Sequence, residues 1–206
     1  LSYLRLRRWR RRRRERGEKR SEFRARLEEI RQAVERFEQV QEFDEQIRLL
    51  ADITRHGSKA YRALPDQPQI MHIVRMCEDE RRKLAQHWAV AEATRLMAMM
   101  QAATNLRVRA GRADQVVEAL KIVSRLLFPH DKITHAMHSV THYQEALEGA
   151  LALPPEEQAQ AVEGSERLLA PYFQIIDELR KDNQELARSA WPAEQVRATL
   201  TRLQRM

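Results

Sequence analysis

Residues 23–37 read FRARLEEIRQAVERF, with Phe23, Leu27, Ile30, Val34 and Phe37 spaced 4, 3, 4 and 3 apart. Side chains at those intervals share one face of an α-helix, because successive residues turn by about 100°. The stretch holds no glycine or proline, and Arg, Glu, Gln and Ala, all good helix formers, fill the positions between. This is a heptad seam, and it predicts a long, coiled-coil-like helix over residues 20–56. Val40, Phe43, Ile47 and Leu50 carry the seam on after a slip of phase, which is expected to bend or rotate it without ending it.

The same reading extends over the whole chain. Five Gly and seven Pro are few for 206 residues, a third of the residues are charged, and no stretch alternates apolar and polar residues as a strand does. The fold class expected is all-α: a long N-terminal helix followed by an antiparallel helical bundle. Gly57-Ser58 and Leu64-Pro65-Asp66-Gln67-Pro68 punctuate the pattern, which divides the chain into residues 1–64 and 65–206. A second long helix is expected over 69–109, with Asp66 as its cap, an apolar side along Ile70, Val74, Cys77, Leu84, Trp88 and Ala91, and a stop at Ala110-Gly111. A shorter helix over 113–128 precedes Pro129-His130-Asp131, where Asp131 can cap the next. Residues 132–152 then place Ile133, Met137, Val140, Leu147 and Leu151 on one stripe. Pro154-Pro155-Glu156-Glu157 is a strong helix start, with fixed φ and acids at the positive end of the dipole. The helix it opens carries Val162, Ser165, Leu169, Tyr172, Ile176, Leu179, Asn183 and Leu186 along one side, widened by Leu168, Phe173 and Ile175, with a kink expected at Pro171. Trp191-Pro192 breaks the chain before a short amphipathic end with Val196, Leu200 and Leu203.

Charge is concentrated at one end. Nine of the twelve residues 5–16 are arginine: Arg5, Arg7, Arg8, Arg10, Arg11, Arg12, Arg13, Arg14 and Arg16, with Trp9 among them. Residues 1–26 hold 13 basic and 3 acidic side chains, a local charge of +10, against +7 for the whole chain, so the remainder is net acidic. Such a block repels itself unless something anionic lies against it, and it predicts a polyanionic partner. Leu1-Ser2-Tyr3-Leu4 followed by arginines reads like the last turn of a membrane helix with its cytoplasmic stop. Cleavage of a targeting peptide, leaving the protein in an organelle matrix, gives the same start. No run of about 18 apolar residues occurs within the chain. Residues 7–16, Arg-Arg-Trp-Arg-Arg-Arg-Arg-Arg-Glu-Arg, also resemble the arginine-rich helical RNA-binding motif of viral regulatory proteins, over about a dozen residues. That resemblance implies a helix that neutralises RNA phosphates and stacks Trp9 or guanidinium planes on unpaired bases.

Other candidate sites are fewer. On the helix over 132–152, Asp131, His135, His138, His142 and Glu145 gather opposite the apolar stripe, at about 120–200° from it. His138 and His142, four apart, can share a metal ion, which makes His135, His138 and His142 metal candidates; a solvated or pH-sensitive contact face is the simpler reading. Cys77 is the single cysteine, so no internal disulfide forms, and its apolar surroundings make it core. Asn183 at a core-like position can set register or partner number. Met97, Met99 and Met100 can line a partner groove, although core packing accounts for them as well. No Gly-rich phosphate loop, Gly-x-Ser-x-Gly elbow or His-Glu-x-x-His occurs.

The expectation is a non-enzymatic scaffold or interaction protein without a cofactor, bound through its arginine block to the cytoplasmic face of a membrane next to an anchor upstream of Leu1, its bundle contacting other subunits or a second copy. The rivals are an RNA-binding ribonucleoprotein subunit using the same arginines, and a metal-dependent helical enzyme at His135, His138 and His142.

Overall fold

The computed structural model describes residues 2–127, 130–187 and 191–205, with the backbone alone described for residues 2–10, 12 and 185–187. Helices account for nearly all of these residues, and no strand occurs among them. In order they are α1 (Ser2–Phe37), α2 (Phe43–Ala63), α3 (Gln69–Gln101), α4 (Leu106–Leu127), α5 (Asp131–Leu151), α6 (Pro155–Ser165), a 3₁₀ turn (Glu166–Leu169), α7 (Ala170–Ala187) and α8 (Ala193–Gln204). They form two compact units. One comprises Leu1–Arg81 with Ala190–Met206, the other Arg82–Ser189. The division between these units falls inside α3.

In the first unit the seam buries Phe23, Leu27, Ile30, Val34 and Phe37, as its spacing requires. The helix expected over 20–56 is, however, two helices. α1 begins far earlier, at Ser2, and stops at Phe37, where residues 38–42 turn the chain and α2 folds back against α1. The phase slip marks this reversal: a seam displaced on one straight helix would leave the partner face, and a turn returns it. Gln46 Nε2 donates to the Val40 carbonyl at 2.8 Å and an Arg36–Glu45 ion pair spans the bend. The core stripe of α2 is Leu50, Ile53, Gly57 and Ala60. Gly57 does not punctuate the chain; it is a buried residue within α2, and a Cβ there would lie 2.5 Å from Val74 Cγ2 of α3. Gly57 lets these two backbones come close. α8 completes the unit through Val196, Leu200 and Leu203, with Trp191 edge-on to Phe37 (centroids 5.2 Å apart) and Arg197 3.1 Å from Glu38.

In the second unit α5 is the hub, touching α4, α6, the 3₁₀ turn and α7. Its buried stripe is Ile133, Ala136, Val140, Tyr143, Leu147 and Ala150. The helix expected to stop at Ala110-Gly111 stops at Gln101 instead. Asn105 Oδ1 accepts from the N–H groups of Arg107 and Val108 (2.9 and 3.3 Å), capping a new helix in which Gly111 is an ordinary exposed position. Along α3, Leu84 and Trp88 are half-buried and Ala91 is exposed, while Ala85, Ala89, Val90 and Ala93 are buried. The cap of α5 is His130, whose Nδ1 accepts from the Ile133 N–H at 3.4 Å, so Asp131 is the first helical residue. Pro171 produces no kink inside a helix; the chain passes through the 3₁₀ turn just ahead of it, leaving Pro171 in the first turn of α7, where its missing N–H costs nothing. Leu168 and Phe173 are 40% exposed and do not widen the buried face. No cap bond from Asp66 occurs among the described residues, and the Leu186 side chain and the helix end expected at Pro129 lie outside them.

Two substitutions test this packing. Gly57→Ala gains up to about 1 kcal/mol of helix propensity but meets Val74, and overpacking of that kind costs about 1–3 kcal/mol. A lowered Tm is expected, with a favourable coupling of at least about 0.5 kcal/mol to Val74→Ala in a double-mutant cycle. Asn183 is buried in α7; its Nδ2 reaches the Gln86 carbonyl at 3.5 Å and its Oδ1 has no hydrogen-bond partner. Asn183→Leu is therefore expected to raise stability by about 1 kcal/mol in chemical denaturation.

Candidate anion-binding site

The arginine block and the apolar seam lie on one helix. α1 runs from Ser2 to Phe37 without interruption, passing through Gly17, whose missing side chain faces open space. The side chains of Arg5, Arg7, Arg8, Trp9, Arg10 and Arg12 lie outside the described residues. From Arg11 to Glu22 every described side chain is exposed, and Phe23 is the first to be buried. Arg11 meets Glu15 at 2.9 Å and Arg14 meets Glu18 at 3.0 Å, both solvated pairs of the kind that contribute little. In each the arginine precedes its acid, the weaker order along a helix.

Closer to the core the arrangement changes. With Phe23 as reference, Leu27, Ile30, Val34 and Phe37 lie within about 40° around the helix, and Arg16, Lys19 and Arg20 lie within about 60°. The stripe that faces the unit is thus apolar from Phe23 onward and cationic before it. These three cations and Arg24 form one wall of a cavity of about 440 Å³. Phe23, Leu64 at the end of α2 and Leu203 of α8 supply apolar walls, and Asp66 and Gln67 come from the turn between α2 and α3. Among the described residues, four cations against one carboxylate leave the lining at +3. Among the described residues none of Arg16, Lys19, Arg20, Arg24 and Asp66 makes an ion pair or a side-chain hydrogen bond. The next arginine, Arg26, is held by Glu29 at 2.8 Å, and that bond keeps the Glu29 carboxyl below its usual range.

Of the sequence candidates whose side chains are described, Arg16 alone lines this cavity; Lys19, Arg20, Arg24 and Asp66 lie outside the arginine run that the sequence singles out. Continuing the 4-3 seam backward from Phe23 to 20, 19 and 16 would have found three of them. His135, His138 and His142 are exposed on α5, opposite its buried stripe. His142 meets Glu145 at 3.3 Å, and no group of three or more His, Cys, Asp or Glu positioned for a metal ion occurs among the described residues. Met97 and Met100 are buried and Met99 is partly exposed, near Arg95. Arg109, the basic residue of a second cavity beside α6, is occupied structurally: it donates to the carbonyls of Ala103 and Gln101 and lies 3.5 Å from Glu166.

Comparison with known proteins finds no matching family model, no matching curated protein and no matching solved structure.

Cys77 is fully buried, and burial, with Glu80 and Glu78 adding to it, pushes its thiol up to about 12. Native protein is therefore expected to resist maleimide and disulfide reagents at pH 8 and to react on unfolding. Because the folded thiol holds its proton more tightly than the unfolded one, this contribution to stability is present below the ordinary thiol range and is lost as pH rises from about 9 towards 12.

Proposed function

We propose that the protein is a non-enzymatic helical scaffold that uses the arginine-rich half of α1 to hold an anionic surface, the cytoplasmic face of a membrane, while its helical units contact other subunits. The observation that carries this reading is the continuity of α1: one helix joins a packed apolar half to a half whose described side chains are all exposed and mostly basic. The packed half fixes the helix on the first unit, and Arg11, Arg13 and Arg14, on the stretch before the cavity, are exposed. Near an anionic leaflet each Lys or Arg contributes about 1 kcal/mol, so a block of this size favours a position against such a surface. No helix among the described residues is long and apolar enough to cross a membrane. Tyr3 and Trp9 in the sequence are residue types that favour the headgroup level, as a lipid surface requires. Leu168 and Phe173, exposed on either side of Pro171, offer an apolar contact for a protein partner.

Co-flotation with vesicles of increasing anionic lipid content tests the reading. Binding at physiological salt is expected to rise with anionic lipid and to persist when structured RNA competes. Changing Arg10, Arg11, Arg12, Arg13 and Arg14 together to Gln should weaken it by at least about tenfold. Release of the protein into the RNA fraction would replace this reading with an RNA-binding one.

A further inference from the structure

The cavity at the junction of the basic and apolar halves of α1 has features that surface attachment does not require. A helix that only needed to meet an anionic surface would carry its cations outward. Here Arg16, Lys19 and Arg20 occupy the stripe that farther along faces the core, and they line a concave space with Arg24. Elsewhere along α1 the protein supplies acids for Arg11, Arg14, Arg26 and Arg31. In the cavity the single carboxylate, Asp66, pairs with none of the four cations. The space is also not uniformly polar, since Phe23, Leu64 and Leu203 complete its walls.

We infer that this cavity binds a phosphomonoester carrying an apolar stem, with the phosphate held by Arg16, Lys19, Arg20 and Arg24 and the stem against Phe23, Leu64 and Leu203. Guanidinium forks match the tetrahedral oxygens of a phosphate, and Lys19 adds a point charge from the same wall. A lining charge of +3 matches a dianion better than a monovalent carboxylate. About 440 Å³ accommodates a phosphate and several carbons and is too small for a whole phospholipid, so the ligand is either a free organic phosphate or the exposed headgroup end of a lipid. The inference adds a specific site to the surface attachment proposed above, and it can be tested apart from it. Asp66 opposes the ligand's charge, which gives the site a signature that nonspecific attraction to the arginine block lacks.

The test is calorimetric titration of the full chain with hexyl phosphate, inorganic phosphate and hexanol at physiological salt. Hexyl phosphate is expected to bind saturably at one site and at least about tenfold more tightly than either of the others. Combined Arg16→Gln, Lys19→Gln and Arg20→Gln should weaken it by about tenfold or more, Lys19→Arg should leave it unchanged, and Asp66→Asn should tighten it several-fold. Combined Arg11→Gln, Arg13→Gln and Arg14→Gln, an equal loss of charge outside the cavity, should change it by less than about threefold. Vesicles of phosphatidic acid that displace hexyl phosphate would identify the lipid source; failure to displace it would identify a free organic phosphate. Equal effects of the two triple variants, or hexyl phosphate binding no better than inorganic phosphate, would overturn the inference. Loss of vesicle flotation with hexyl phosphate binding intact would remove the surface reading alone.

Discussion

The first unit depends on a change of chemistry along one stripe of one helix. Up to Arg20 the face of α1 that turns towards the unit is cationic, and from Phe23 it is apolar. Burial of the apolar part against α2 and α8 sets the helix's rotation about its own axis, and with it the side on which Arg16, Lys19 and Arg20 lie. The close approach of α2 and α3 at Gly57 and the edge contact of Trp191 on Phe37 are built on that setting. The cavity lies where the two chemistries meet, at the step from Arg20 to Phe23, where the stripe changes from exposed cations to buried apolar side chains.

Much of the fold was legible because apolar spacing alone specifies which side of a helix is buried. Phe23 to Phe37 on α1, Ile133, Val140 and Leu147 on α5 and Val196 to Leu203 on α8 are buried at the positions their periods require, while Met137 and Leu151 of the α5 stripe are half-buried. Cys77 behaves as the core residue its neighbours implied. Helix ends were harder, since glycine and proline were taken for stops. Gly57 and Gly111 both lie inside helices, one for close packing and one merely tolerated. The actual breaks at 38–42 and 102–105 contain neither residue. A polar turn closes the first, and the Asn105 side chain closes the second.

The candidate site was half legible. The arginine block announces an anion by composition, but composition carries no direction. Arg16 was named with the other arginines, while Lys19, Arg20 and Arg24 escaped notice because they fall outside the dense run. Leu64, Asp66, Gln67 and Leu203 come from elements distant in sequence, and only the return of α2 and α8 to α1 brings them together.

The polarity of α1 has one further consequence. The arginines crowded along α1 repel one another through the helix, and the arginine-before-glutamate pairs at Arg11 and Arg14 do little to relieve them. A counter-anion laid along the helix would relieve them. Helical stability of the arginine-rich half of α1 and ionic conditions are thus thermodynamically linked: raising salt, or presenting a polyanion, should strengthen the helix there, so that circular dichroism of this one element records its electrostatic surroundings.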